Sequence, residues 1–263
     1  MKKIKKIIKG IILLLKKPSL INNILESDYV WSKYVSNKNL PVIAIEKLIP
    51  NFNETLNVFS FLGGGSLPTD IMLLKALAKQ IENCAYFEIG TWRGESVVNV
   101  AENAKECYTL NLSKDEMLRM DLPKEYAKLH GFFSKDKKNI THLLGNSLTY
   151  NYQALNKKFD LIFIDGNHKY AYVKNDTKKI FKHLVKENTI VVWHDYAYNP
   201  EKIRHEILAG ILDALPKKLH KNLYHVSNTM CAIYTTKKLK SIPFQSIVKP
   251  NNNFKINIKM NKL

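Results

Sequence analysis

The sequence predicts an α/β fold whose parallel sheet is covered on both faces, and three observations carry that expectation. From Ala85 onward, short apolar runs alternate with helical patterns. The run Leu161-Ile162-Phe163-Ile164 has no polar interruption, as a strand buried on both faces requires. Five successive strand ends carry polar residues or glycine, so one rim of the sheet collects the groups that could do chemistry. At 263 residues the chain holds one such domain with appendages.

The elements follow in order. Residues 2–17 place Ile4, Ile7, Ile8, Ile11, Ile12 and Leu15 on one helical face and lysines on most of the other. The apolar run Ile11 to Leu15 is too short for a bilayer span or a secretory signal. A basic amphipathic helix over 1–20 is therefore expected, lying on an anionic membrane surface or packing on its own domain or a partner subunit of a homo-oligomer. Pro18 ends it. Residues 21–84 read as an N-terminal helical cap, with a Gly63-Gly64-Gly65 loop that is either a lid or a plain connector, then a helix over 71–82 that Thr69 or Asp70 can cap. Residues 85–240 form the main domain. Its strands are expected at 85–90, 107–112, 140–144, 159–165 and 189–193, with a closing pair at 223–226 and 230–235. Helices are expected at 96–104, 172–186 and 201–215, and a short helical link at 150–156. The Lys/Asn-rich tail 241–263 has no strong period and reads as loosely ordered.

The formal charge of +18 suggests a nucleic-acid binder until it is mapped. Residues 1–20 and 237–263 each carry seven lysines and no acid, which leaves +4 for the body between them. Only three of the 41 basic residues are Arg, a pattern that composition bias also explains. Cys84, Cys107 and Cys231 form no CxxC pair, so neither a disulfide framework nor a zinc knuckle is indicated. Such a chain fits a cytoplasmic location, at or near the inner membrane face.

The rim residues set the chemistry. The first strand leads into Glu88-Ile89-Gly90-Thr91-Trp92-Arg93-Gly94, a strand-to-helix turn whose glycines let backbone approach a ligand. Its Glu-x-Gly-x-x-x-Gly spacing is not the dinucleotide fingerprint, and the loop at 63–65 lacks the Gly-Lys-Ser/Thr of a phosphate loop. The fourth strand delivers Asp165, with His168 within one turn, and an imidazole that titrates near neutrality can take a proton from a hydroxyl. A histidine that caps the next helix is the plainer reading. The fifth strand ends His194-Asp195, so Asp165 and Asp195 stand on adjacent strands and could share a divalent cation.

At these residues the sequence resembles a family. Phe87-Glu88-Ile89-Gly90-Thr91-Trp92-Arg93-Gly94-Glu95-Ser96 and Phe159-Asp160-Leu161-Ile162-Phe163-Ile164-Asp165-Gly166-Asn167-His168-Lys169-Tyr170 look like class I S-adenosylmethionine-dependent methyltransferases, in the small-molecule and sugar O-methyltransferase branch (methyltransferase domain family 24). The resemblance spans about Phe87 to Thr236. It implies a doubly wound, Rossmann-like, seven-stranded sheet whose last strand is antiparallel. It implies that Glu88 and the loop Gly90, Thr91, Trp92, Gly94, with Ser96, hold the methionine part of the cofactor. Asn111 stands where an acid normally binds the ribose, and Asn146, beside Ser147, where an acid contacts adenine; Asp165 also faces the cofactor. In metal-dependent members the positions of Asp165 and Asp195 bind Mg²⁺, while His194 departs from the acidic pair. The position of His168 acts as general base in related sugar methyltransferases, and Asp165 and Asp195 would orient the hydroxyl.

Two other functions fit parts of the sequence. A nucleic-acid amino-methyltransferase would explain the net charge, but the fourth strand lacks an Asn/Asp-Pro-Pro-aromatic ending and the body is nearly neutral. A membrane-attached binding protein that has lost catalysis would explain Asn111 and Asn146, because both replace acids.

Overall fold

The computed structural model describes residues 2–35 and 39–262; residues 36–38 of the expected cap, with Met1 and Leu263 of the two terminal segments, lie outside the described residues. The strands are β1 (Val42–Ile43), β2 (Ala85–Ile89), β3 (Glu106–Asn111), β4 (Ile140–Leu144), β5 (Phe159–Ile164), β6 (Val185–Trp193), β7 (Ala197–Asn199), β8 (Lys202–Ile203), β9 (Leu223–Val226) and β10 (Ala232–Tyr234). The helices are α1 (Lys2–Lys16), α2 (Leu20–Val30), α3 (Ile45–Leu48), α4 (Pro68–Lys79), α5 (Glu95–Val100), α6 (Lys114–Arg119), α7 (Lys124–Leu129), α8 (Tyr170–His183) and α9 (His205–Ala214).

The main sheet runs β1-β9-β10-β6-β5-β2-β3-β4, with β7 and β8 paired separately. Strands β4, β3, β2, β5 and β6 are mutually parallel, and β10 is antiparallel to both β6 and β9. The seven expected strands are present with the last one antiparallel. An eighth, β1, comes from the segment read as helical and pairs in parallel with β9. From β2 the chain winds outward to β3 and β4, then returns to β5 on the other side. That reversal opens a crevice above the carboxyl ends of β2 and β5.

Strand alternation assigns the two faces. Phe87, Ile89, Ile162 and Ile164 pack with Val173 and Ile180 of α8 and with Ile207, Leu208 and Ile211 of α9. Tyr86, Leu161 and Phe163 pack with Leu73, Leu74 and Leu77 of α4 and with Val97 and Val100 of α5. Both faces are dry, which explains the uninterrupted apolar run in β5. The three cysteines are buried and free.

The N-terminal helices divide in two. The segment from α2 into the π-helical turn Trp31–Val35 is tied to the body at Asp213 of α9. Tyr29 and Tyr170 donate to its Oδ2 at 2.7 and 2.9 Å, Lys33 donates to Oδ1 at 2.9 Å, and the Tyr34 hydroxyl also donates to Oδ1. Helix α1 instead leaves Ile4, Ile7, Ile8, Ile11, Ile12 and Leu15 between 47% and 77% exposed. Among the described residues, no helix is long and apolar enough to cross a membrane. The tail adds a bridge between Ile242 and Val42, then continues without helix or strand.

Candidate active site

The crevice above β2 and β5 is a cavity of about 700 Å³. It falls in the size range of small-molecule sites. Two features of the backbone make it. Gly90 has φ +96°, and a Cβ there would stand 1.9 Å from the carbonyl oxygen of Asp165. Only glycine lets the ends of β2 and β5 approach this closely. Asp195 takes φ +52° just after β6, a left-handed turn at the strand end.

Of the residues expected from the sequence, Gly90, Trp92, Asn111, Asn146, Ser147, Asp165, His168, His194 and Asp195 line the cavity. Glu88, Thr91, Gly94 and Ser96, expected at the methionine part, do not line it. Glu88 shares the strand parity of Tyr86, so it points between the sheet and α5 and is fully buried. There the hydroxyls of Tyr86 and Ser96 donate to Oε2 at 2.8 and 2.9 Å, and that of Thr109 donates to Oε1 at 2.8 Å. Burial dominates these bonds and raises the Glu88 carboxyl to about 7. Thr91 is bonded to Thr109, and Gly94 lies against Ser134, where a Cβ would meet Oγ at 2.3 Å.

The triglycine loop also lines the cavity. Trp92 Nε1 and the Arg93 guanidinium donate to the Gly63 carbonyl at 3.3 and 2.9 Å. These bonds hold the loop, read from the sequence as a lid or a plain connector, against the first strand-to-helix turn.

His168 stands at the rim, 39% exposed in its side chain, with Nδ1 3.1 Å from Asp195 Oδ2. The carboxylate fixes the N–H on Nδ1 and leaves Nε2 as acceptor. Arg204 holds the other Asp195 oxygen at 3.1 Å. Burial pushes Asp195 up, but the hydrogen bond and charge of His194, with His168 and Arg204, outweigh it and hold the carboxyl down at about 2. His168 also opens onto a second groove of about 470 Å³ that continues to Glu26, Lys169, Tyr198 and Glu206.

Beneath this pair, His194 is buried among three carboxylates. Its Nδ1 lies 3.1 Å from Asp165 Oδ1 and 3.4 Å from Asp195 Oδ2, and its Nε2 lies 3.0 Å from Asp70 Oδ2. Ionised carboxylates only accept, so both ring nitrogens carry hydrogen and the ring is an imidazolium. Burial alone would lower its pKa, but Asp165, Asp195 and Asp70 raise it well above the usual value. The metal-ligating atoms of Asp165, His194 and Asp195 lie within 4.8 Å of one another. Even so, this donor set does not fit Mg²⁺. A protonated Nδ1 has no lone pair to give, and the imidazolium and Arg204 already offset two of the three carboxylate charges. In this arrangement an internal cation stands at the expected metal site.

The sequence alone did not place Asp70, Arg204, Tyr172 or His130 at the site. Asp70 was read as a helix cap, and it does accept from the Leu67 N–H at 2.7 Å, but it also reaches His194. Arg204 and Tyr172 precede or open helices with no local signature. His130 lies against Trp92 and Tyr126, with ring centroids 5.1 and 5.0 Å away.

Residues 87–196 match a family model described as a methyltransferase domain. No curated protein matches the chain. Among solved structures, the chain is similar to a provisionally named O-methyltransferase from Nostoc punctiforme at 15% identity, TM-score 0.41, covering 62% of this chain and 55% of that one. A cofactor-bound protein from MTB is 18% identical, TM-score 0.46, over 83% and 89% of the two chains. An S-adenosylmethionine-bound amino pentose methyltransferase from Micromonospora echinaspora is 15% identical, TM-score 0.35, over 52% and 51%. The chain thus spans about half the length of the first and third of these.

Proposed function

We propose that the chain, whose residues 87–196 match a methyltransferase domain family, is an S-adenosylmethionine-dependent O-methyltransferase acting on a hydroxyl of a small molecule or sugar. The observation that carries the reading is the His168–Asp195 pair at the rim where cavity and groove meet. A base there faces an acceptor in the groove on one side and a cofactor in the cavity on the other.

The cavity fits that cofactor in three respects. Its volume suits a nucleoside-sized ligand, Gly90 offers bare backbone, and the buried Nε2 of His130 has no partner among the described residues. Gly90, Trp92, Asn111, Asn146, Ser147 and Asp165 would hold it. When bound, it supplies a methyl group already activated by the sulfonium charge.

The chain's own residues supply the rest. His168 Nε2 takes the proton from the acceptor hydroxyl, and Asp195 stabilises the imidazolium that forms. Asp165, held by His194, is positioned at the rim to receive a second polar group of the acceptor. Arg204 and His194 keep Asp195 ionised and fixed. The lid at Gly63–Gly65, tied to Trp92 and Arg93, excludes water. Holding acceptor and donor in line supplies much of the rate, because little bond activation remains for the protein to do.

The same reading places the protein in the cytoplasm, on an anionic membrane surface. Seven lysines without an acid and an unpartnered apolar face on α1 support it. An acceptor made at that surface, such as a glycan precursor, suits that location. Isothermal titration with S-adenosylmethionine tests the enzyme reading: binding in the micromolar range is expected, and no binding at millimolar cofactor would overturn it.

A further inference from the structure

The contact between His130 and Asn111 has no part in the mechanism above. Asn111 closes β3, and His130 follows α7, so two elements meet at the cavity wall. The Asn111 amide Nδ2 lies 2.7 Å from His130 Nδ1 and 3.2 Å from the Leu112 carbonyl. An amide nitrogen only donates, so both of its hydrogens are used and Nδ1 of the ring must accept. Burial pushes His130 down to about 4, which keeps the ring neutral at working pH. A neutral ring that accepts at Nδ1 carries its hydrogen on Nε2. That Nε2 is buried and has no partner among the described residues. The Asn111 Oδ1, likewise, accepts no hydrogen bond among the described residues, and both residues line the cavity.

A free donor beside a free acceptor is the pattern that recognises hydroxyls, because a hydroxyl both gives and takes a hydrogen bond. An acid at position 111 could only accept. We propose that His130 is a positioning and binding residue for a vicinal diol: it clamps the Asn111 amide so that Oδ1 accepts from one hydroxyl, while its own Nε2–H donates to the other. Under the cofactor reading, on which this inference rests, the diol is that of the S-adenosylmethionine ribose. The pair thereby does the work of the missing acid without its charge. The clamp also accounts for the ring contacts with Trp92 and Tyr126, which fix the imidazole plane.

The test compares S-adenosylhomocysteine with its 2′,3′-dideoxy analogue by calorimetry, on the unaltered protein and on His130→Phe, which keeps a ring between Trp92 and Tyr126. The unaltered protein should prefer the diol by about 10-fold or more, since leaving a buried donor unpaired costs roughly 1–3 kcal/mol. The variant should prefer it by less than about 3-fold. Loss of a merely structural ring would weaken both ligands alike and leave the preference intact, which would overturn the proposal. Asn111→Ala, which leaves the imidazole in place, should also lose the preference, and it decides the matter if His130→Phe does not fold. Retention of the preference in Asn111→Ala would equally overturn the proposal. Failure of the unaltered protein to bind S-adenosylhomocysteine would overturn the cofactor reading first and this inference with it.

Discussion

Replacing Glu88 with Gln should flatten a pH dependence of stability that originates beneath the site. Glu88 is fully buried in a cage of three hydroxyls, and burial raises its carboxyl from 4.5 to about 7. The folded chain therefore keeps a proton at pH values where the unfolded chain has released it. The stability this contributes is complete below about 4.5 and is lost as pH rises through about 7. The gap corresponds to roughly 3 kcal/mol, of which roughly 2.5 kcal/mol falls between pH 5 and 8. The Gln amide has the same shape and does not titrate. Its altered hydrogen bonds displace the stability curve by a constant amount, so the pH-dependent part of the difference isolates the carboxyl. Urea unfolding at pH 5, 6, 7 and 8 reads it directly. The stability of Glu88→Gln relative to the unaltered protein should rise by roughly 2.5 kcal/mol across that range, or roughly 5–10 °C in Tm. A difference that stays flat within about 0.5 kcal/mol would refute the reasoning.

Three further expectations follow from the site and the N-terminus. His168→Ala should lower turnover at least about 100-fold while leaving cofactor affinity within about threefold, measured by initial rates and calorimetry; a loss under about tenfold would identify His168 as a cap rather than a base. Because His194 supplies the internal cation, a chelator should change turnover by less than about twofold, and a tenfold fall restored by Mg²⁺ would show that a metal enters the site after all. Deleting residues 2–17 should release the protein from vesicles rich in anionic lipid but not alter binding of S-adenosylmethionine, and undiminished sedimentation with vesicles would refute the membrane role of α1.

The candidate site was legible where it depends on strand ends. Asp165, His168 and Asp195 could be placed on one rim because an apolar run fixes where a strand stops, and parallel strands stop on the same side. Gly90 was legible as a turn, though not as the point where a side chain would collide with the Asp165 carbonyl. Glu88 lies off the cavity for a reason the sequence did contain. It alternates with Phe87 and Ile89, and its parity with Tyr86 directs it to the α4 and α5 side, away from the crevice. Asp70 and His130 were out of reach. Asp70 meets His194 across 124 positions of chain, and His130 meets Asn111 through a loop and two short helices whose path no local pattern specifies.

What the sequence by itself determined is therefore the sheet, the order of its elements and the edge on which polar groups collect. These follow from periodicity, strand length and turn chemistry, all of which act over a few neighbouring residues. Only the tertiary structure decided the charge states at that edge. Asp165, Asp195 and Asp70 raise the pKa of His194 and favour its cationic form, while burial keeps His130 neutral and Glu88 protonated toward neutrality. Protonation depends on desolvation and on carboxylates brought together from distant parts of the chain, and no window of sequence contains either.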